Sequence, residues 1–314
     1  MNMKLVSFGE RGKEQPGVLS NQNMIIPLSA AMQRWGCPDA TMNDVLRVLA
    51  DVRTRIAELT VTGADAIPMD GVRLGPPVPH PGAVFAVGAN YPAHLAEHGA
   101  AELPTKPILF AKPTSSITGP FDAIEIPHET AMLDYEIELA VVIGRAGRRI
   151  SVNTALQHVA GYMIANDVTA RDVFLGEADK NPLYLQVLRG KGYDTFCPTG
   201  PWLVTADEVG DPRNLRLRLS VNTDLRQDDV CAHMIFDVPT LLASVSEFVT
   251  LRPGDVVLTG SPAGVGMSRQ PPEFLKAGDI LQLEASGLGV MRTPVIDEPA
   301  VSVPEVTELT PGRE

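Results

Sequence analysis

The sequence predicts an α+β protein made mostly of β-strands, in which a small N-terminal domain precedes a larger, strand-rich domain. Beyond residue 84, short apolar segments alternate with turns, a pattern typical of a β-roll or β-barrel. The 27 glycines and 27 prolines supply many such turns. A proline-rich stretch at 74–82 predicts an extended linker. We therefore expect a small α+β domain at 1–75, the larger domain at 76–293 and a polar C-terminal tail at 294–314.

The N-terminal domain is expected to contain three strands and one long helix. Apolar stretches separated by polar turns predict strands at 4–8, 17–19 and 24–27. Residues 43–59 carry apolar side chains at helical spacing, and Thr41 is positioned to cap this helix. The domain offers no catalytic motif of its own.

The larger domain is expected to consist of short strands with three helices. Each predicted strand is a short apolar run bounded by glycine, proline or polar residues. The predicted strands lie at 84–88, 108–111, 124–126, 135–143, 162–165, 201–204, 215–220, 256–259 and 280–285. The predicted helices lie at 92–98, 152–160 and 238–248, with Ser151 as the cap of the second.

Composition and charge argue against several classes of partner. The net charge of −12 disfavours nucleic acid and anionic membrane surfaces. No apolar stretch approaches the roughly 18 residues of a membrane-spanning helix, and no signal peptide is visible. The three cysteines form neither a disulfide framework nor a zinc-binding spacing, which favours the reducing cytoplasm. We expect a soluble cytoplasmic protein in which an anionic substrate is bound by local cationic groups.

The most informative segment is an acidic strand that becomes a continuous apolar run at residues 133–144. Side chains alternate across a strand, so Glu136 and Glu138 are predicted to share one face, with Asp134 further along it. Neighbouring carboxylates beside a buried strand repel each other and lose hydration, which is costly unless a cation compensates. Mg²⁺ prefers oxygen ligands of this kind. The alternative is a strand with one solvated face.

Three further motifs carry residues suited to catalysis or binding. Asp167 is expected at the end of a strand, with Arg171 four residues later on the same side; the alternative is a capping aspartate with a local ion pair. His94 and Glu97 are spaced so that the carboxylate orients the imidazole as a general base, although surface His–Glu pairs are common. Lys191 lies between two glycines, where it either reaches a carboxylate or remains a solvated loop residue.

Five motifs in chain order form a recognisable set. They are Asn-Tyr-x-x-His-x-x-Glu from residue 90, Asp-Tyr-Glu-x-Glu-Leu-Ala-Val-Val-Ile-Gly from residue 134, Asn-Asp-x-Thr-Ala-Arg-Asp from residue 166, Gly-Lys-Gly-Tyr-Asp from residue 190 and Thr-Gly-Ser-Pro-Ala-Gly-Val-Gly from residue 259. Over about residues 80–292 the chain thereby resembles the fumarylacetoacetate hydrolase family. The resemblance implies a mixed β-roll or β-barrel catalytic domain of that family's type, a small variable N-terminal domain and a homodimer.

The resemblance also implies a role for each candidate residue. The ligands of one Mg²⁺, with Mn²⁺ or Ca²⁺ as alternatives, would be Glu136, Glu138 and Asp167. Asp134 would be structural. The catalytic residues would be His94 and Glu97, on a mobile lid segment, together with Lys191. The substrate-binding residues would be Arg171, Lys191, Lys112, Ser261 and Tyr91.

The sequence departs from the family pattern around the distal half of the substrate site. Phe174 stands where many relatives have Gln, and Ser261 stands where the glycine-rich loop usually has Thr. The segment 174–190 lacks the polar character that is usual in the family. The motifs therefore leave open which group the substrate carries beyond the metal.

These implied roles suit hydrolysis of a carbon–carbon bond in a small anionic 2-oxo acid. An acylpyruvate or a 2,4-diketo-3-deoxy sugar acid would chelate the metal, and His94, oriented by Glu97, would activate water against the distal carbonyl. The products would be pyruvate or a related 2-oxo acid and a carboxylic acid. The same site suits an oxaloacetate decarboxylase, a dienedioate isomerase or a sugar-acid dehydratase. A catalytically silent binding protein is a further alternative, against which the intact His94, Glu97 and Lys191 argue.

Overall fold

The computed structural model describes residues 3–63 and 65–300, and strands dominate it, as the sequence predicted. The N-terminal strands match the predicted positions, and two short strands follow them. The elements of this part are β1 (Lys4–Phe8), β2 (Gln15–Leu19), β3 (Met24–Pro27), α1 (Ser29–Arg34), α2 (Met42–Thr62), β4 (Ile67–Pro68) and β5 (Leu74–Gly75).

Helix α2 confirms the predicted helix and its cap. Thr41 Oγ1 accepts a hydrogen bond from Asp44 N at 3.4 Å, and Asp44 Oδ2 accepts one from Thr41 N at 2.9 Å. The helix ends at Gly63, where a left-handed φ of 63° favours glycine. The buried side chains that pack against the strands are Met42, Val45, Leu46, Leu49, Val52 and Ile56.

The larger part of the chain is also built mainly from short strands. Its first half contains β6 (Val84–Gly88), α3 (Pro92–Glu97), β7 (Ile108–Lys112), β8 (Ile117–Thr118), β9 (Ile124–Ile126), β10 (Leu133–Asp134), β11 (Ile137–Ile143), β12 (Val159–Asn166), β13 (Thr169–Ala170) and α4 (Arg171–Leu175). Its second half contains α5 (Val187–Lys191), β14 (Cys197–Thr205), α6 (Ala206–Val209), β15 (Arg216–Val221), β16 (Asp224–Val230), α7 (Val238–Phe248), β17 (Val256–Leu258), β18 (Ile280–Ala285) and β19 (Gly289–Asp297). Within the described ranges, no helix combines the length and apolar character needed to cross a bilayer.

One large mixed sheet joins the two parts of the chain. Its strands run in the order β4-β3-β2-β1-β14-β12-β11-β17-β6-β7. The junction is antiparallel pairing of β1 with β14, which sets Leu5 opposite Leu203. The sheet is therefore continuous across the expected boundary between residues 75 and 76, and the division into two domains stays a prediction.

A second sheet packs against the large one and encloses the main core. Its strand order is β16-β15-β18-β19-β9. Alternate residues of β11, such as Leu139 and Val141, join a core that includes Leu217 and Leu283 of this second sheet. The intervening Ala140 belongs to the core beneath α2. Because side chains alternate along a strand, the even-numbered Glu136 and Glu138 lie on the same side of β11 as Ala140. They lie beyond the part of that side that α2 covers.

Strand β19 corrects the expected start of the tail at residue 294. The strand continues to Asp297, Val295 is buried, and the stretch pairs in parallel with β9. Pro294 lies within this strand opposite Ile280, whose backbone N donates to Asn222 Oδ1 and whose carbonyl accepts from Asn222 N, so neither group needs the amide that Pro294 lacks. Residues 301–314 of the expected tail lie outside the described residues.

The structure also differs from the expected elements at 152–160 and at β16, and the short helices α4, α5 and α6 were not expected. The expected helix at 152–160 is a 3₁₀ segment, Val152–His158, and Ser151 Oγ bonds Thr154 Oγ1 at 2.9 Å instead of capping a backbone amide. Strand β16 was not predicted, because its charged sequence Asp-Leu-Arg-Gln-Asp-Asp-Val lacks an apolar face. Its place at the edge of the second sheet explains why such a sequence is accommodated.

Candidate active site

Three buried carboxylates meet where β11 begins and β12 ends. The two strands pair antiparallel with Ile137 opposite Asn166. Glu136, just before β11, and Asp167, just after β12, are therefore neighbours. Glu136, Glu138 and Asp167 each offer an oxygen atom, and these atoms lie within 4.8 Å of one another. All three side chains are buried. We call this set the acidic triad.

Hydrogen bonds to the backbone hold the two segments of the triad together. Asp167 N donates to the Glu136 carbonyl at 2.8 Å, and Glu136 N donates to Asn166 Oδ1 at 2.9 Å. Thr169 Oγ1 donates to the Asp167 carbonyl at 2.9 Å. The strand pairing therefore sets the position of the carboxylates.

Three buried cationic side chains lie against the triad. Lys191 Nζ donates to Glu136 Oε2 at 2.8 Å and to Asp167 Oδ2 at 2.6 Å. Lys112 Nζ donates to Asp167 Oδ1 at 2.6 Å, and Arg171 Nη2 donates to Glu136 Oε1 at 2.6 Å. These pairs offset the mutual repulsion of carboxylates that have been removed from water.

Glu138 differs from the other two carboxylates because it forms no ion pair with a described residue. Its Oε2 accepts a hydrogen bond from Gly260 N at 2.6 Å. Burial and the charges of the other two carboxylates raise the pKa of Glu138 well above its usual value. For Glu136, burial acts in the same direction, but Lys191 and Arg171 outweigh it and lower the pKa below its usual value.

The triad has the donor set and the spacing of a divalent-metal site. Its donors are carboxylate oxygens alone, and they surround one small space. Glu138 in particular carries a buried carboxylate that a cation would stabilise. Mg²⁺ and Mn²⁺ prefer oxygen ligands of this kind. The residues present therefore fit the metal that the sequence predicts.

Asp134 holds Arg171 and a neighbouring turn in place. Its Oδ2 accepts from Arg171 Nε at 2.8 Å and from Met267 N at 3.0 Å. Its Oδ1 accepts from Gly266 N at 2.7 Å. With its carboxylate occupied by these donors, Asp134 positions residues around the triad, as expected for a structural residue.

His94 and Glu97 are in contact on helix α3. His94 Nδ1 lies 3.3 Å from Glu97 Oε2, and Glu97 Oε1 accepts from Gly264 N at 2.8 Å. The histidine is buried at the cavity wall, while the glutamate is exposed and does not line the cavity. A carboxylate that binds Nδ1 favours the tautomer with its lone pair on Nε2, the form required for a general base.

A cavity of about 380 Å³ adjoins the acidic triad. The polar part of its wall brings together the triad and four further predicted residues, which are His94, Arg171, Lys191 and Ser261. Most of the remaining wall is apolar and includes Val87, Leu95, Phe110, Phe174, Leu185 and Val187. One end of the cavity is thus densely charged, and the rest of its surface is hydrophobic.

Three of the predicted substrate-binding residues have different surroundings in the structure. Tyr91 is fully buried and is not part of the cavity wall, and its contact with substrate stays a prediction. Lys112 is enclosed beside the triad, where its ammonium binds Asp167. Ser261 does line the cavity, and its Oγ accepts from Gln227 Nε2 at 2.8 Å.

Sequence reasoning missed two polar residues of the site. The ring of His98 lies edge-on to that of His94 with centroids 4.7 Å apart, and it also lines the cavity. Its position four residues after His94 was a usable signal. Thr169 Oγ1 accepts from Lys191 Nζ at 2.9 Å, a contact that depends on tertiary structure and leaves no mark in the sequence.

Comparison with known proteins identifies a matching family and similar enzymes. The family model described as fumarylacetoacetate (FAA) hydrolase C-terminal matches residues 83–296. The mitochondrial oxaloacetate tautomerase of Xenopus laevis is 39% identical over 299 residues, which cover 94% of this chain and 91% of that protein. The 2,4-didehydro-3-deoxy-L-rhamnonate hydrolase of a Sphingomonas strain is 39% identical over 294 residues, which cover 93% of this chain and 96% of that protein.

Solved structures share the same fold. The crystal structure of maleylpyruvate hydrolase from Sphingobium, in complex with a manganese(II) ion and pyruvate, superposes with a TM-score of 0.77. The two sequences are 31% identical, and the match covers 94% of this chain and 99% of that one. The likeness therefore extends over nearly the whole of both molecules.

Proposed function

Because the chain belongs to the fumarylacetoacetate hydrolase family of enzymes, we propose that it is a divalent-metal-dependent hydrolase that cleaves a carbon–carbon bond in a 2,4-dioxo acid. The substrate class is an acylpyruvate or a 2,4-diketo-3-deoxy sugar acid. The products are pyruvate or a related 2-oxo acid and a carboxylic acid. The observation that carries this proposal is the acidic triad, whose oxygen atoms lie within 4.8 Å of one another in the cavity that His94 also lines.

Glu136, Glu138 and Asp167 would hold the metal. We propose Mg²⁺, with Mn²⁺ or Ca²⁺ as alternatives, because the donors are all carboxylate oxygens. When bound there, a divalent cation would polarise the 2-oxo and carboxylate oxygens of the substrate and stabilise negative charge that develops on them. The manganese ion in the Sphingobium hydrolase supports this assignment.

Arg171 and Lys191 would receive the acidic end of the substrate. Both side chains line the cavity, and both bind the acidic triad. Arg171 donates hydrogen bonds to Asp134 and Glu136, which fix its guanidinium. A cation whose position is fixed before substrate arrives loses less entropy on binding than a flexible surface cation does.

His94 would act as the general base. With Glu97 bound to Nδ1, its Nε2 takes a proton from water, and the resulting hydroxide adds to the C4 carbonyl carbon. The bond between C3 and C4 then breaks, C4 leaves as the carboxylic acid, and the bonding electron pair stays with C3. The pyruvate part, released as an enolate, takes up at C3 the proton that His94 had accepted, which returns the base to its starting form.

A second candidate is oxaloacetate tautomerase, which the 39% identity to the Xenopus protein favours. Tautomerisation moves one proton between C3 and oxygen and uses no attacking water. The decarboxylase, isomerase and dehydratase reactions remain further alternatives on the same site. Their substrates, like those of the hydrolase, are small anionic oxo acids.

A product assay separates these reactions. The purified chain is incubated with Mg²⁺ and, in parallel, an acylpyruvate, oxaloacetate and a 2,4-diketo-3-deoxy sugar acid. The proposed hydrolase releases equal amounts of a 2-oxo acid and a carboxylic acid from a 2,4-dioxo acid. Rapid enol–keto exchange of oxaloacetate without any such cleavage would favour the tautomerase instead.

We also propose a homodimer in the cytoplasm. The three cysteines, Cys37, Cys197 and Cys231, are all unpaired, which suits a reducing compartment. The dimer is inferred from family membership. Light scattering of the purified chain, expected to give twice the 33.7 kDa monomer mass, tests it.

A further inference from the structure

We infer that the cavity selects a 2,4-dioxo acid whose acyl group is apolar, in preference to one whose acyl group ends in a carboxylate or carries several hydroxyls. This inference rests on the proposed function and adds the chemical class of the distal group. The charged side chains that line the cavity, among the described residues, belong to the acidic triad or are Arg171 and Lys191, which pair with it.

A carboxylate at the distal end of a substrate would find no free cation in this cavity. Lys191 and Arg171 are held beside the triad, where both are assigned to the acidic end of the substrate, so neither is left for the distal end. The other titratable groups on the wall are His94 and His98. A neutral imidazole supplies a hydrogen bond but no positive charge. Entry of a second anion would therefore remove it from water without compensation.

Two aromatic rings lie directly beside the charged end of the cavity. The ring centroids of Phe110 and Phe174 are 5.4 Å and 5.9 Å from Lys191 Nζ. Both rings belong to the cavity wall, which Leu185 and Val187 continue. The surface next to the proposed metal site is thus apolar, and hydroxyls buried against it would lose hydrogen bonds to water that the wall does not replace.

The position of Phe174 is determined by the packing of α4 against α5. A Cβ atom added to Gly190 would lie 2.4 Å from Phe174 Cβ, so the two helices approach this closely because residue 190 is glycine. Gln186 N also donates to the Phe174 carbonyl at 2.8 Å. The backbone and Cβ of Phe174 are therefore held against α5, and its half-buried ring forms part of the cavity wall.

The test compares two acids of equal length, 2,4-dioxoheptanoate and 2,4-dioxoheptanedioate. With the full chain and saturating Mg²⁺ at pH 8, we expect kcat/KM to be at least about tenfold higher for the monoacid. In Phe174→Gln this preference should fall several-fold, while Phe174→Leu should retain it. Leu183→Gln, which changes an 86% exposed leucine of the same segment, is the matched control and should behave as the wild type.

Equal or better turnover of the diacid by the wild type would overturn the inference while leaving the proposed hydrolase intact. An unchanged preference in a folded Phe174→Gln protein would overturn the role of that ring. If neither acid is cleaved, the proposed function fails, and calorimetric binding of the two acids to the Mg²⁺-loaded protein decides the inference. At least about tenfold tighter binding of the monoacid would support it, and equal affinities would overturn it.

Discussion

Lys191 Nζ lies 2.6 Å from Asp167 Oδ2, just after β12, and 2.8 Å from Glu136 Oε2, just before β11. A single ammonium thus links two segments that are about thirty residues apart in the sequence. Glu138, the third carboxylate of the triad, has no such partner among the described residues and has a raised pKa. The missing cationic partner of Glu138, among the described residues, leads to two predictions about this residue.

Glu138→Gln should weaken Mg²⁺ binding by at least about 10–100-fold, because an amide oxygen carries no charge to attract the ion. Isothermal titration calorimetry measures the effect. Glu284→Gln, an exposed carboxylate on β18, is the matched control and should bind Mg²⁺ as the wild type does. Equal Mg²⁺ affinities of the wild type and Glu138→Gln would remove Glu138 from the proposed ligand set.

The same variant should be more stable than the wild type when Mg²⁺ is removed by EDTA. A neutral amide in place of Glu138 ends the repulsion by the other carboxylates, and it can still accept the Gly260 hydrogen bond. We expect Tm to rise by about 2–4 °C, measured by thermal unfolding in EDTA. A fall in Tm under these conditions would mean that Glu138 stabilises the fold without a metal.

His94→Gln should lower kcat by about 10²–10⁴-fold, the contribution typical of a positioned general base. Its Mg²⁺ affinity should stay near the wild-type value, because His94 is not a member of the triad. Steady-state kinetics and calorimetry measure the two effects, and His128→Gln, at an exposed position, is the control. A fully active His94→Gln protein would exclude the proposed base.

Asp134→Asn should destabilise the protein by about 3–5 kcal/mol, because it leaves the buried guanidinium of Arg171 with one carboxylate instead of two. Urea unfolding of the metal-free protein measures the change in the free energy of unfolding. A change below about 1 kcal/mol, the size expected for an exposed ion pair, would show that this pair does not hold the site together.

Asp122→Asn should reduce stability at neutral pH and have less effect in acid. Arg73 Nε and Nη2 donate to Asp122 at 3.0 Å and 2.6 Å. Burial raises the pKa of Asp122, but hydrogen bonds from Arg73 and from Gly119 N outweigh it, so the pKa lies below its usual value of 3.8. The stability from the ionised form is therefore present above pH 3.8 and is lost as the pH falls through the folded-state pKa.

The expected loss for Asp122→Asn is about 1–3 kcal/mol at pH 7, because the guanidinium of Arg73 loses a charged, partly buried acceptor. Urea unfolding at pH 7 and at pH 3 measures this difference for the variant and the wild type. A destabilisation that increases on acidification would contradict the assigned direction of the pKa.

Much of the site could be predicted because local sequence patterns determine it. Strand alternation alone places Glu136 and Glu138 on one face, and a helical spacing of three brings His94 close to Glu97. The approach of Asp167 to the two glutamates also requires the register of β11 and β12, which neither segment specifies by itself. That part of the prediction depended on the resemblance to a known family.

Other features depend on contacts that are distant in the chain. Lys112 and Lys191 are 79 residues apart, and the ammonium of Lys112 binds the Lys191 carbonyl inside the protein, which no local pattern indicates. Tyr91 follows the expected motif, yet its side chain is buried away from the cavity. Strand β16 escaped prediction because an edge strand is not required to carry the apolar alternation of a central one.

Anomalous diffraction from a crystal of the protein soaked with Mn²⁺ tests the central claim most directly. The account predicts one strong manganese peak bonded to oxygen atoms of Glu136, Glu138 and Asp167 together, on the cavity side that His94 faces. A peak that lacks contact with any one of these carboxylates, or the absence of a peak between them at saturating Mn²⁺, would contradict it.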